Sequence, residues 1–286
     1  MEQNELNALI SLLDEPNNEM FGQIRDKILY YGNEAIPLLE NAWDSSFNNT
    51  IQERIAEIIH IIQQEKLKTE LINWIQNNQG DLLSGFLLAT KYQYPDIDER
   101  KIRNKIEEIK KSIWLELNEN LTALEKTKVI NHIVYEVFGF NGNKSNIDTP
   151  QNLFLNDLLE TGKGNHLSLG ILIIILSKNL GIPVFGIDLP QHFILSYTEG
   201  NTESDVLFYI NPFNKGAVFT RKEIDLFLKH LKLKPEKKHF QPCDNITIVK
   251  RLFSSILLAY KKMGYTDKVD ELNELVEVFN LTPSKI

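Results

Sequence analysis

From Leu6 to about Leu117, apolar residues recur at spacings of three and four: Leu9, Ile10, Leu12 and Leu13, then Ile24, Ile28 and Leu29, then Ile36, Leu38, Leu39 and Trp43, then Ile51, Ile55, Ile58, Ile59 and Ile62. This is the period of helices that bury one stripe. Breaks at Glu15-Pro16-Asn17, Gly32-Asn33 and Ser45-Ser46 divide the segment into short antiparallel helices, and Pro37 stands where a helix can begin. Residues 18–45 have the character of a helical repeat unit, without a period that recurs often enough to make a solenoid. A further amphipathic helix is predicted over 121–137, followed by the Gly-, Asn- and Pro-rich turn FGFNGNKSNIDTPQN.

The pattern changes after Gly164. Residues 167–176 read LSLGILIIIL, apolar nearly all round, and predict a helix buried against a sheet. Strand character is strongest over 182–188, 192–198 and 205–210. In the second strand, alternation puts His192, Ile194 and Ser196 on one face and Phe193, Leu195 and Tyr197 on the other. Residues 245–280 return to two helices joined at KKMGYTD, where Gly264 supplies the stop. The class is therefore α+β and mostly helical. It divides into a helical N-terminal region (1–117), a core with a small antiparallel sheet (118–240) and a C-terminal helix pair (241–286).

Composition narrows the function classes. With 286 residues, 42% of them apolar, the chain can bury a proper core. Lys plus Arg 31 against Asp plus Glu 39 gives a net charge of −8, which argues against a general binder of nucleic acid or anionic membranes. The two basic runs, KIRNKIEEIKK (101–111) and KHLKLKPEKKH (229–239), read as solvated surface. A single cysteine, Cys243, excludes an internal disulfide and a multi-cysteine metal site, and it suits a reducing compartment. The N-terminus lacks the pattern of a secretory signal, and the longest apolar segment, Gly170 to Leu176, is far short of the roughly 20 residues a membrane helix needs. A cytoplasmic protein with no membrane or nucleic-acid partner is expected. His60, His132, His166, His192, His230 and His239 show no metal-type spacing, so neither a metal nor a cofactor is expected.

The candidate chemistry gathers around the buried helix. Its N-terminus is a fixed point, where unpaired N–H groups and the helix dipole lower a thiol's pKa and can bind an oxyanion. No cysteine stands there; the candidates are His166 and Ser168, with Gly164 and Gln191 in the same cleft. Ser168 reads either as a nucleophile or as a first-turn residue that hydrogen-bonds locally. His192 reads either as a general base or as a core histidine satisfied by a backbone carbonyl. Asn211, 19 residues further on, either orients that imidazole or simply makes an Asn-Pro turn. Cys243, in HFQPCDN, has nothing adjacent to activate it and reads as an incidental thiol.

Residues 137–195, FYINPFNKG (208–216) and the helices near 246–280 together resemble the SirB-type bacterial proteins, in which a transglutaminase-like domain is followed by tetratricopeptide-like helices. AIPLLENAW and DLLSGFLLATKYQYPDID are similar to that family's opening segment. The resemblance implies a papain-like core, whose catalytic members carry Cys at the start of a buried helix, then His and Asp on successive strands. Counting back from Leu180-Gly181, the cysteine position falls on His166, where the resembled family usually has proline. Ser168 matches that family's serine and His192 the histidine of its Pro-Gly-His-Phe motif. Gln191 replaces its glycine, and Asn211 replaces the aspartate of Asp-Pro-Phe. Tyr260, Gly264 and Val269 fall where a tetratricopeptide repeat has its aromatic, glycine and small residue.

What the resemblance implies is a site frame with its histidine kept and its nucleophile lost. The expected function is a catalytically inert binding, regulatory or adaptor protein, acting on an unknown protein or small ligand through the cleft around His192 and its helical surfaces. The family's association is with regulation of gene expression or virulence. The alternative is a hydrolase or acyltransferase on amides or esters that uses Ser168, His192 and Asn211.

Overall fold

A computed structural model describes residues 2–147, 149–199 and 205–281. The chain divides into two compact units, residues 1–71 and 72–286. The division falls inside the stretch read from the sequence as one helical region, 1–117.

The first unit is all helical: α1 (Glu2–Ile10), α2 (Asn18–Tyr30), α3 (Ile36–Ser45) and most of α4 (Asn49–Asn73). The helices stop where the proline and Gly-Asn signals stand. Asn17 caps α2, its side chain accepting the N–H of Glu19 at 2.9 Å and of Met20 at 3.2 Å. The apolar stripes meet in one core that includes Leu13, Phe21, Ile28, Leu39, Ile55 and Ile58. Arg54 of α4 closes its edge. The guanidinium lies 4.0 Å over the ring of Phe21 and donates to the carbonyls of Leu13 (2.8 Å) and Glu15 (2.7 Å), which the break at Pro16 would otherwise leave without partners.

The second unit opens with a π-helical turn (Trp74–Asn78), then α5 (Leu82–Lys91), α6 (Glu99–Glu116) and α7 (Ala123–Asn131). Side chains of Asp81, Asp98 and Thr122 cap these three helices in turn. A second π-helical turn (His132–Val137) extends α7. Two-residue strands β1 (Asn141–Gly142) and β2 (Lys163–Gly164) pair in parallel on either side of α8 (Leu155–Thr161).

Then come α9 (His166–Asn179), β3 (Val184–Leu189), β4 (His192–Thr198), β5 (Val206–Asn211), β6 (Ala217–Phe219) and α10 (Arg221–His230). The last helices are α11 (Asn245–Met263) and α12 (Thr266–Leu281). Gly264 ends α11 at φ 82° with its N–H on the Lys261 carbonyl, as its position in the sequence predicts.

Strands β3 to β6 form one antiparallel sheet in sequence order. Three of them coincide with the predicted strands; β6 and α10 lack a strong enough pattern to be read from sequence. Helix α9 is buried from Leu167 to Ser177 and packs on β3 and β4. The fit depends on Phe193, which is 1% exposed. A methyl group at Gly170 of α9 would sit 2.8 Å from its ring, and one at Gly186 of β3 would sit 2.5 Å away. The opposite face of the sheet, with Ile187, Ile194 and Tyr209, is covered by Ile224 and Leu228 of α10 and by Phe240. Because both faces are covered, every residue of β4 except His192 is buried, Ser196 included. Among the described residues no helix is long and apolar enough to cross a membrane.

Candidate functional site

His166 is the first residue of α9, behind the capping residue Asn165. Asn165 uses its side-chain oxygen to accept the N–H groups of Leu167 (2.9 Å) and Ser168 (3.0 Å). Two of the helix-end donors, the N–H groups of Leu167 and Ser168, are therefore already engaged. Asn just before an apolar helical run is a capping signal, and it was available in the sequence.

Ser168 is fully buried. Its hydroxyl donates to the Asn152 carbonyl at 2.6 Å and accepts the Asn165 N–H at 3.1 Å, tying the turn at 150–153 to the start of α9. A methyl group at Gly164 would meet this hydroxyl at 2.6 Å, so the glycine gives Ser168 its room. Among the described residues no hydrogen bond joins Ser168 to His192.

His192 begins β4 after a two-residue turn in which Leu189 pairs with His192. Pro190 fixes the first central position, and Gln191 holds φ 62°, the left-handed conformation that a type II turn asks of its second. The turn presents the Gln191 carbonyl to His166, whose Nε2 lies 3.2 Å away and donates to it. Nδ1 of His166 is then the unprotonated nitrogen; it is buried and has no partner among the described residues. The two imidazoles meet edge-on, ring centres 5.6 Å apart and planes at 87°, while His192 leans on Phe227 at 4.9 Å. Burial, reinforced by the charge of Arg251 and by His192, pushes His166 down to about 4. Burial and Arg251 lower His192 as well.

Asn211 ends β5, the neighbour of β4, and lines the same cleft as His192. Its side-chain oxygen accepts the N–H groups of Phe213 and Asn214, both at 3.1 Å. The segment it turns is held from the other side, Tyr135 donating to the Pro212 carbonyl (2.7 Å) and Asn131 to that of Gly216 (2.9 Å). Among the described residues no hydrogen bond runs from Asn211 to His192. The structure thus gathers His166, Gln191, His192 and Asn211 around one cleft and turns Ser168 away from it.

The cleft has a volume of about 850 Å³ and aromatic walls, Phe193, Phe213, Phe219 and Phe227. Its charged residues include Glu223 and Arg251. Glu223 is taken up by the cap of α10, accepting from the Thr220 N–H at 3.1 Å and hydroxyl at 2.5 Å. Arg251, from α11, pairs with Asp188 and donates to the Leu189 carbonyl at 2.7 Å. Sequence reading missed it, because its only signal is a cation beside the apolar stripe of Val249, Leu252 and Phe253. Cys243 lies apart: its thiol donates to the Gly186 carbonyl at 3.2 Å, and burial pushes its pKa up to about 12. Among the described residues no group of three His, Cys, Asp or Glu side chains is placed to hold a metal ion.

Comparison with known proteins adds a family. The model described as "Transglutaminase-like superfamily" matches residues 100–254, which include the buried helix, the sheet and Arg251. A UPF0162 protein of Xylella fastidiosa (strain Temecula1) is 27% identical over 143 residues, 50% of each chain, so this chain spans about half the length of that relative. A UPF0162 protein of Vibrio cholerae is 29% identical over 186 residues, covering 62% of this chain and 67% of the other. F-box only protein 21 of Mus musculus is 24% identical over 200 residues, 60% of this chain and 32% of that one. No solved structure matches.

Proposed function

The chain belongs to the transglutaminase-like superfamily, and from that premise we propose that it is a catalytically inert member that binds a protein or small ligand through the cleft around His192. The observation that carries this reading is the edge-on pairing of His166 with His192 at the place where a catalytic relative would set a thiol against an imidazole. A neutral imidazole whose Nε2 proton is given to Gln191 and whose Nδ1 is buried offers no nucleophile to the cleft.

A serine enzyme is the weaker reading. Ser168 would have to leave the Asn152 carbonyl, and Asn211 the turn it holds, before either could serve His192. The aromatic walls suit binding without chemistry, since concave, mostly apolar clefts with a few fixed polar groups are the usual form of ligand sites. The adaptor reading extends to α11 and α12, taken here as a tetratricopeptide-like pair packed on the core, and to a cytoplasmic location.

The test is labelling with serine- and cysteine-reactive activity probes on the wild type, His192→Ala and Ser168→Ala. No labelling that depends on His192 is expected. Ser168→Ala should lower stability by about 1 kcal/mol, because it removes the 2.6 Å bond to the buried Asn152 carbonyl and leaves that carbonyl only the longer bond from the Asn165 N–H at 3.4 Å. Labelling lost in both variants, with the fold intact, would overturn the inert reading.

A further inference from the structure

Next to the cleft, and sharing Leu189, Gln191 and Arg251 with it, is a second cavity of about 570 Å³. Part of the run 229–239, expected as solvated surface, forms its wall: Lys234, Lys238 and His239 line it together with Lys250 and Arg251 of α11. Its two carboxylates are already committed, Asp188 to Arg251 and Glu236 to Lys238 at 2.9 Å. Lys234 and Lys250 have no carboxylate partner among the described residues, and Lys250 meets only the neutral side-chain oxygen of Asn280 at 2.6 Å. In a chain of net charge −8 this is a local surplus of positive charge among the residues that line one recess.

The recess also offers further N–H donors. His239 is 3% exposed, and its Nδ1 accepts the backbone N–H of Glu236 at 3.1 Å. The proton of the neutral ring therefore sits on Nε2. Arg251 spends Nη1 on Asp188 and Leu189, which leaves Nε and Nη2 with donors unspent among the described bonds.

We propose that this cavity binds a phosphate monoester group. Two uncompensated ammonium groups and a half-used guanidinium match a dianion better than a single carboxylate, and the planar guanidinium suits phosphate oxygens in particular. A recess, as opposed to a basic stripe along a face, fits one phosphate group on a small molecule or on a modified side chain, and does not fit a nucleic-acid backbone. The proposal stands apart from the cleft reading, since Lys234 and Lys250 do not line the cleft.

The experiment titrates the full chain in chloride buffer with inorganic phosphate, a sugar phosphate, and a phosphoserine peptide beside its unphosphorylated twin. Binding is read by calorimetry and amide chemical shifts, for the wild type and for Lys234→Gln/Lys250→Gln. Saturable binding is expected, with shifts centred on 233–254, weakening as chloride rises. The double variant should bind at least about tenfold more weakly with its thermal unfolding unchanged, as expected for the loss of two charge-assisted contacts. Tighter binding of the phosphopeptide than of the sugar phosphate assigns the group to a protein, and the reverse order to a small molecule. If no phosphate probe binds saturably, or the double variant binds as well as the wild type, the proposal is wrong.

Discussion

The ring of His166 stands edge-on to the ring of His192, 5.6 Å between centres and 87° between planes. One imidazole starts the buried helix and the other starts the strand across from it, so the contact joins the two elements on which the cleft is built. The pair is neutral at pH 7. Burial and Arg251 both act against a charge on either ring, and a proton on one would repel a proton on the other.

Acid should therefore destabilise the fold through this pair. His166 titrates near 4 when folded and near its ordinary 6.5 when unfolded, so below pH 6.5 the unfolded chain takes up a proton that the folded chain refuses. The stability present above pH 6.5 is lost as pH falls toward 4. The loss from this group amounts to about 1.6 kcal/mol between pH 6.5 and 5, the slope rising toward about 1.4 kcal/mol per pH unit as the unfolded imidazole becomes fully protonated. Urea unfolding of the wild type and His166→Gln at several pH values checks this: the variant should lose that much less over the same interval.

The turn between the strands stores a small strain. Gln191 sits at φ 62°, where a side chain is disfavoured by about 1–2 kcal/mol and glycine is not. Gln191→Gly should be neutral to stabilising by up to about 1 kcal/mol, the gain being offset by the freedom glycine adds to the unfolded chain. Gln191→Val should cost more than 1 kcal/mol, roughly, because a β-branched residue tolerates this conformation least. Chemical denaturation of the two variants measures both, and a destabilised Gln191→Gly would show that the side chain, not the turn, matters here.

Much of this fold is legible in the sequence, and the reason is period. The breaks at Pro16, Gly32-Asn33 and Ser45-Ser46, the all-round apolarity of 167–176 and the alternation of 192–198 are local signals, and each corresponds to an element. Where the pattern is two or three residues long, as in β1, β2 and β6, there is no period to read. The site is less legible, because its hydrogen bonds are tertiary. Nothing near Ser168 announces that its hydroxyl will meet the Asn152 carbonyl, 16 residues back, and nothing near Arg251 announces Asp188, 63 residues back. Residue types place the histidines at a cleft; only the packing tells which atoms remain available.

Phe193 is wedged between two glycines, so either glycine should resist even the smallest side chain. Gly170→Ala and Gly186→Ala each bring a methyl group within 3 Å of the ring, between a buried helix and its sheet. Each should cost about 1–3 kcal/mol by overpacking. Phe193→Leu alone should also destabilise, by leaving a void. The double variant Gly170→Ala/Phe193→Leu should lose less than the sum of the two single losses, a coupling that thermal or urea unfolding can measure. Additive losses would mean that the contact is relieved elsewhere.

If position 166 is the vacated nucleophile site, a thiol placed there should be activated by what surrounds it. His166→Cys would put sulfur at the first residue of α9, near the positive end of the helix, close to Arg251 and opposite His192. Each of the three favours thiolate over thiol, against the burial at this position, which would push a thiol up. The native thiol should not interfere, since burial pushes Cys243 up to about 12 and its proton is given to the Gly186 carbonyl. Cys243→Ser removes it in any case. Iodoacetamide labelling rates of His166→Cys/Cys243→Ser across pH should report an apparent pKa well below the free-cysteine value of about 8.5. Adding His192→Ala should move that pKa back upward, because the imidazole is the one neighbour able to accept the proton. A thiol that titrates like a free one, or that cannot be labelled in the folded protein, would mean that residue 166 is not the nucleophile position, and the inert-frame reading would lose its alignment.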